Sequence, residues 1–128
     1  MSLREKLHVM VVDDMSVSRG LIIQALEAMG IKNIDYCVDG ETAFKKLAVR
    51  PVHLVISDYN MPGADGLQLL AGLRQYKTTQ RIGFILITGT ADPTVIEKGN
   101  KLGMNNYVKK PFSPEALKAC IERVVGPL

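Results

Sequence analysis

Five side chains scattered along this sequence could do chemistry together if the chain gathered them: the adjacent pair Asp13-Asp14, then Asp58, Thr88 and Lys110. Singly, each has an ordinary explanation. Asp13 or Asp14 could cap a helix, Asp58 could open a turn, Thr88 could fill a strand end and Lys110 could be a solvated lysine. Together they amount to more. Three carboxylates in one crevice repel one another by about 1–4 kcal/mol per close pair near a protein surface. A fold tolerates that load mainly when a cation is meant to sit among them. Oxygen-only donors without His or Cys favour a hard ion, and an open site with room for water favours Mg²⁺. The same group suits phosphoryl transfer. A carboxylate is a nucleophile that is already ionised at neutral pH, so it needs no general base. A cation, an ammonium and a hydroxyl can then offset charge on the transferring oxygens.

The elements that must position these residues are legible. His8–Val12, Val52–Ser57 and Gly83–Thr88 are apolar runs of strand length, and weaker strands fall over about Asn33–Val38 and Asn106–Lys109. Helical patterns separate and follow them, over about Ser16–Met29, Glu41–Val49, Gly66–Tyr76 and Pro93–Leu102, with a last helix opened by Ser113-Pro114 and ending near Gly126. Val17, Leu21, Ile22, Ala25 and Leu26 share one face of the first of these helices. Ser113 and Pro114 make a good helix start, though Ala116 denies it a full capping box. Strands that are apolar on both faces, each followed by a helix, imply a parallel sheet covered on both sides. The expected fold is therefore an α/β, doubly wound (βα)₅ sandwich around a five-stranded parallel sheet. Ligands in such folds sit at the carboxyl ends of the strands, where the strand order reverses. The five side chains are placed at those ends.

Composition narrows the function classes. At 128 residues, with 47% hydrophobic and 23% charged residues, the chain reads as one globular domain spanning residues 1–128. A formal charge of +3 is spread along the chain with no basic block and no DNA-reading motif, so no nucleic-acid partner is expected. Cys37 and Cys120 lack metal-ligand spacing and read as free buried thiols of a reducing cytoplasm. His8 and His53 precede apolar runs and read as surface or strand-edge residues. No run approaches the roughly 20 apolar residues of a membrane span, no signal peptide is visible, and Met1-Ser2-Leu3 carries no functional signal.

Asp13-Asp14, Ile56-Ser57-Asp58-Tyr59-Asn60-Met61-Pro62, Asp65-Gly66, Ile87-Thr88-Gly89 and Tyr107-Val108-Lys109-Lys110-Pro111-Phe112 resemble the response-regulator receiver family. Within it they are most similar to the single-domain CheY-like chemotaxis regulators, and the resemblance covers the chain from about Leu7 onward. It implies a flavodoxin-like sandwich in which Asp58 is the phosphoacceptor. It further implies that Asp14 is a direct Mg²⁺ ligand, that Asp13 holds the ion chiefly through water, and that the backbone carbonyl of Asn60 completes the protein's share. Thr88 matches the hydroxyl that moves toward the phosphoryl group. Lys110, not Lys109, matches the family's lysine because it directly precedes Pro111, and the Lys110–Pro111 bond is expected to be cis. Tyr107 matches the aromatic switch that turns inward after Thr88 moves. Two positions depart from the best-known chemotaxis pattern: Thr90 stands where the enteric protein has an acid, and Lys109 replaces an apolar residue.

The resemblance implies a protein that is not an enzyme beyond promoting its own phosphorylation and dephosphorylation. Its partners would be a sensor histidine kinase and a downstream protein such as a flagellar motor switch or a phosphotransfer protein, and it would act as a monomer. With Gly126-Pro127-Leu128 leaving no room for an effector domain, output is expected through protein binding on a face that includes Ala91, Ile96, Tyr107 and Lys109. Four other readings compete. A phosphohydrolase of the haloacid dehalogenase type needs a second acid two residues after the nucleophile, where this chain has Asn60. An FMN carrier needs a Ser, Thr and Gly-rich first loop, where Asp13-Asp14 would repel the phosphate. The others are a receiver of a non-chemotaxis phosphorelay and a receiver cut from a longer transcriptional regulator or hybrid kinase.

Overall fold

The computed structural model describes residues 2–89 and 92–128. Five strands, β1 (His8–Val12), β2 (Asn33–Cys37), β3 (Leu54–Asp58), β4 (Gly83–Thr88) and β5 (Asn106–Lys109), form one sheet in the order β2-β1-β3-β4-β5. Every pairing is parallel. The connecting helices are α2 (Ser16–Ala28), α3 (Gly40–Val49), α4 (Gly66–Gln75), α5 (Pro93–Lys101) and α6 (Pro114–Val125). This is the doubly wound α/β sandwich that the alternation of apolar runs and helical patterns implies. A further turn, α1 (Leu3–Lys6), precedes β1. Four residues are too few to show a helical period. It is closed by the Leu7 N–H on the Leu3 carbonyl at 2.8 Å and braced where the Arg4 stem crosses Gly30.

Burial on both faces explains why β1, β3 and β4 are continuous apolar runs. Alternate residues of β1 point to opposite layers. Met10 and Val12 join Ala43, Leu47, Leu70 and Leu73 under α3 and α4. Val9 and Val11 join Ile22, Leu26, Leu117 and Ile121 under α2 and α6. Phe84 and Leu86 face the first layer, Ile85 and Ile87 the second, and all four are fully buried. The edge strands β2 and β5 are mostly exposed, which is why their runs are weaker.

The helix starts are local chemistry. Asp39 Oδ1 accepts the Thr42 N–H at 2.7 Å, Asp92 Oδ1 that of Thr94 at 2.9 Å, and Ser113 Oγ that of Ala116 at 3.0 Å. A full capping box appears at α4 instead, where Asp65 and Gln68 exchange two 2.8 Å bonds. Two expectations are corrected here. Val38 is exposed beyond the end of β2, and β3 begins at Leu54 and includes Asp58 as its last residue. Val17 and Leu21 do not share the buried face of α2: they are 74% and 56% exposed. Ile22, Ala25 and Leu26 meet the sheet, and none of the described residues covers the flank that Val17 and Leu21 occupy. Cys37 and Cys120 are buried and free, and burial pushes the Cys120 thiol up to about 11. No helix among the described residues is long and apolar enough to cross a membrane.

Candidate phosphoryl and metal site

The strand order turns about β1, so the carboxyl ends of β1 and β3 flank the crevice where ligands of such folds sit. The register makes Val12 the neighbour of Ser57 and Asp58 the neighbour of Ile87. Asp13, next after Val12, therefore reaches the crevice beside Asp58. One carboxylate oxygen from each of Asp13, Asp14 and Asp58 lies within 4.8 Å of the others. Asp13 is fully buried, Asp58 is buried and Asp14 is exposed at the rim. The chain turns back at the cis Lys110–Pro111 bond just beyond β5, where the Lys110 N–H is held by the Thr88 carbonyl at 2.8 Å. From there the Lys110 Nζ lies 3.3 Å from Asp58 Oδ1 and 3.9 Å from Asp13 Oδ2. Lys109 is exposed. Thr88, buried at the end of β4, completes the wall.

The oxygens of Asp13 are unequally satisfied. Oδ1 accepts the Met15 N–H at 3.0 Å, whereas the buried Oδ2 has no hydrogen-bond partner among the described residues and only the Lys110 ammonium near it, at 3.9 Å. A buried anionic oxygen without a hydrogen bond carries its desolvation cost largely unrelieved, so its surroundings favour a further cation. No side chain caps α2, so helix capping does not account for Asp13 or Asp14. Burial pushes the Asp58 carboxyl above its ordinary range. The Lys110 ammonium pulls it back down, Asp13 adds to the rise, and the net shift is upward.

Several residues that build this site are not conspicuous in sequence. A Cβ on Gly66 would stand 2.5 Å from the Asp58 carbonyl oxygen and 3.1 Å from Tyr59 Cα, so only glycine lets α4 start this close to the acceptor's backbone. Its N–H donates to the Tyr59 carbonyl at 2.9 Å. The Asp65-Gly66 pair signals a turn but not this contact. Arg19 donates to the Asp13 carbonyl at 3.0 Å and stacks over Tyr36, 4.8 Å from the ring centroid. No spacing rule links those three positions. Of the expected output residues, Tyr107 is 38% exposed and Lys109 is exposed on β5. Ile96 of α5 is half-buried against the core rather than free, and Ala91, like Thr90, lies outside the described residues. Asn60 is exposed two residues past Asp58.

Residues 9–122 match the response regulator receiver domain family. Over 128 residues, 100% of this chain and 99% of the relative, the sequence is 42% identical to the Rhizobium etli protein named "Probable chemotaxis protein CheY". It is 34% identical to chemotaxis protein CheY1 of Helicobacter pylori over 121 residues, 94% of this chain and 98% of that one. The fold is similar to that of Vibrio cholerae chemotaxis protein CheY4, with a TM-score of 0.85 at 26% identity, covering 92% of this chain and 98% of the other.

The Asp58 shift has a stability consequence. A carboxyl whose native pKa lies above its ordinary 3.8 binds its proton more tightly folded than unfolded. Its contribution to stability is therefore greatest at low pH and is lost as the pH rises through the native value. In metal-free buffer at neutral pH, Asp58→Asn should therefore melt above the wild type, because the amide carries no buried charge. The gap should close as the pH falls and the wild-type carboxyl takes up its proton. Thermal denaturation across that range checks it; an Asn variant melting below the wild type at neutral pH would contradict it.

Proposed function

Since this chain belongs to the response regulator receiver family, we propose that it takes a phosphoryl group on Asp58 from a sensor histidine kinase and thereby switches the binding of a protein partner. The observation that carries this is the 3.3 Å approach of the Lys110 ammonium to an Asp58 carboxylate that shares its pocket with two more acids. The acidic donors fit Mg²⁺: all ligating atoms are oxygens, and the buried Asp13 Oδ2, without a hydrogen bond among the described residues, is available to a hard cation. Asp13, Asp14 and Asp58 would hold the ion with the Asn60 backbone carbonyl. When bound, it would offset charge on the phosphoryl oxygens and on the acids themselves.

The residues do the rest. An Asp58 oxygen attacks phosphorus, the P–N bond of the donor's phosphohistidine breaks, and the freed imidazole takes a proton from solvent. Lys110 offers its ammonium to a phosphoryl oxygen, and Thr88 offers its hydroxyl to another. The new group adds charge and acceptor oxygens at the strand ends, which draw Thr88 inward. Tyr107, outward and part-exposed on β5, then turns into the space Thr88 leaves. Two pre-existing packings exchange population, and the partner reads the difference on the face of α5, β5 and α6. The likeness to chemotaxis proteins of three bacteria supports a partner in chemotaxis, with the flagellar motor switch as the candidate target.

The exposed flank of α2 supports a docking place for the phosphodonor. Met15, Val17 and Leu21 form one wall of a groove of ≈ 600 Å³ whose other wall is Lys110, Phe112 and Pro114. A Cβ at Gly20, on the same exposed flank, would meet nothing within 4 Å, so another helix can approach the backbone closely there. Met15 and Lys110 both line the groove and touch the acidic pocket through Asp13. A kinase helix seated in it would bring its phosphohistidine to Asp58.

Two measurements test these readings. With Mg²⁺, labelled acetyl phosphate or a phosphorylated kinase should leave acid-labile label on Asp58, and Asp58→Asn should take none; label persisting elsewhere in that variant would overturn the assignment. Leu21→Asp, at an exposed position, should leave folding and acetyl-phosphate labelling intact yet slow transfer from the kinase by tenfold or more, about 1.4 kcal/mol of docking. Equal slowing with both donors would place the groove outside the donor contact.

A further inference from the structure

At the end of the sheet remote from Asp58, a polar hub is built around one side chain. Arg74, in the last turn of α4, donates from Nε and Nη2 to the Gly103 carbonyl at 3.2 and 2.9 Å. It also donates from Nη1 to the Gln80 carbonyl at 3.0 Å and from Nη2 to Asn105 Oδ1 at 3.1 Å. Gly103 turns through φ +92°, and a Cβ there would stand 3.0 Å from Arg74 Nε, so the loop is shaped to this guanidinium. Burial holds Arg74 below its ordinary pKa. Asn105 Oδ1 in turn accepts the Phe84 N–H at 2.7 Å, while the Asn105 N–H donates to the Phe84 carbonyl at 3.0 Å. Phe84 and Asn105 thus make a two-bond rung one residue ahead of the Ile85–Asn106 pair that opens the β4–β5 register.

β5 needs such a rung. It is an edge strand of four residues, hydrogen-bonded to β4 alone and half-exposed along its length. A short edge strand with one buried neighbour is weakly registered, and a slip would carry every side chain on it out of place. Its far end is tied by the Lys110 N–H to the Thr88 carbonyl, a contact at the switch itself. The end that can stay fixed while the switch moves is the one Asn105 and Arg74 hold.

We propose that Arg74 is a positioning residue for phosphoryl capture: through Asn105 it fixes the register of β5 and so the place of the Lys110 ammonium over Asp58. This rests on the reading that Lys110 meets the phosphoryl group. It separates two affinities. Asp13, Asp14 and Asp58 lie on or beside β1 and β3, which the hub does not hold, so metal binding is independent of Arg74. Capture of a phosphoryl mimic, which needs Lys110, is not.

The test compares Mg²⁺ affinity and Mg²⁺-dependent beryllofluoride affinity, both by calorimetry, with amide exchange read along each strand. Arg74→Lys keeps a charge but cannot form the forked set of bonds. It should bind Mg²⁺ as the wild type does and bind beryllofluoride on the order of tenfold more weakly, the scale of loss that a displaced contact group produces. Exchange should rise at Tyr107–Lys109 and not in β1 or β3. Asn105→Ala should reproduce this and Asn105→Asp, which keeps the acceptor, should not, so the proposal stands or falls on the Asn105 pair if Arg74→Lys fails to fold. Unchanged beryllofluoride affinity in folded variants, or a fall in Mg²⁺ affinity equal to the fall in mimic affinity, would overturn it. A wild type that binds no beryllofluoride would overturn it together with the Lys110 reading.

Discussion

The structure turns on an imbalance of charge: one ammonium, Lys110, faces three carboxylates whose oxygens lie within 4.8 Å of one another. At that spacing a pair of like charges costs about 1–4 kcal/mol even with surface-like screening, comparable to a sizeable fraction of the few kcal/mol by which a domain is stable. One of the acids is fully buried, with an oxygen that has no hydrogen bond among the described residues, so rearranging exposed side chains cannot relieve the strain. A divalent cation can. The phosphoryl group, which brings its own negative charge, can be accepted only where that charge has been met in advance.

The fold keeps Asp13 and Asp58 close chiefly through main-chain placement. Asp13 and Asp58 are set by the β1–β3 register, Asp13 is tethered by the Met15 N–H and Arg19, and α4 starts against the Asp58 carbonyl only because Gly66 carries no Cβ. Lys110 comes from the other side of the sheet's midpoint, just past the end of an edge strand with one neighbour. The rigid part of the site and its adaptable part are therefore different strands. Such a division suits the proposed switch: a group met by Lys110 and Thr88 would bias β5 without loosening the core formed by β1, β3 and β4.

Much of this was legible in the sequence because the signals are local. The continuous apolar runs of β1, β3 and β4 reflect burial on two faces, and the polar residue closing each run falls at a strand end by counting alone. Lys110 was distinguishable from Lys109 by its neighbour Pro111, and it is Lys110 that reaches the carboxylates. What stayed hidden depends on contacts distant in sequence. Val17 and Leu21 have the helical spacing of core residues, yet the covering layer stops short of them, and periodicity cannot say how wide that layer is. Apart from its bond to Asn105, the Arg74 hub directs its donors to backbone carbonyls, which any residue supplies, so no motif announces it. Gly66 read as the first residue of a helix, and its close approach to the Asp58 backbone was not legible.

The exposed flank of α2 and the acidic pocket adjoin, since Met15 and Lys110 line the groove beside α2 and both reach Asp13. The most direct measurement of the central claim is the melting temperature of the wild type and of Asp13→Asn, each titrated with MgCl₂ at ionic strength held constant with NaCl. If the acidic pocket is a cation site, Mg²⁺ at a hundred times its dissociation constant stabilises the wild type by about 2.7 kcal/mol, and the gain is much smaller in the variant. Equal stabilisation of both proteins, or none in the wild type beyond that of NaCl, would contradict the account.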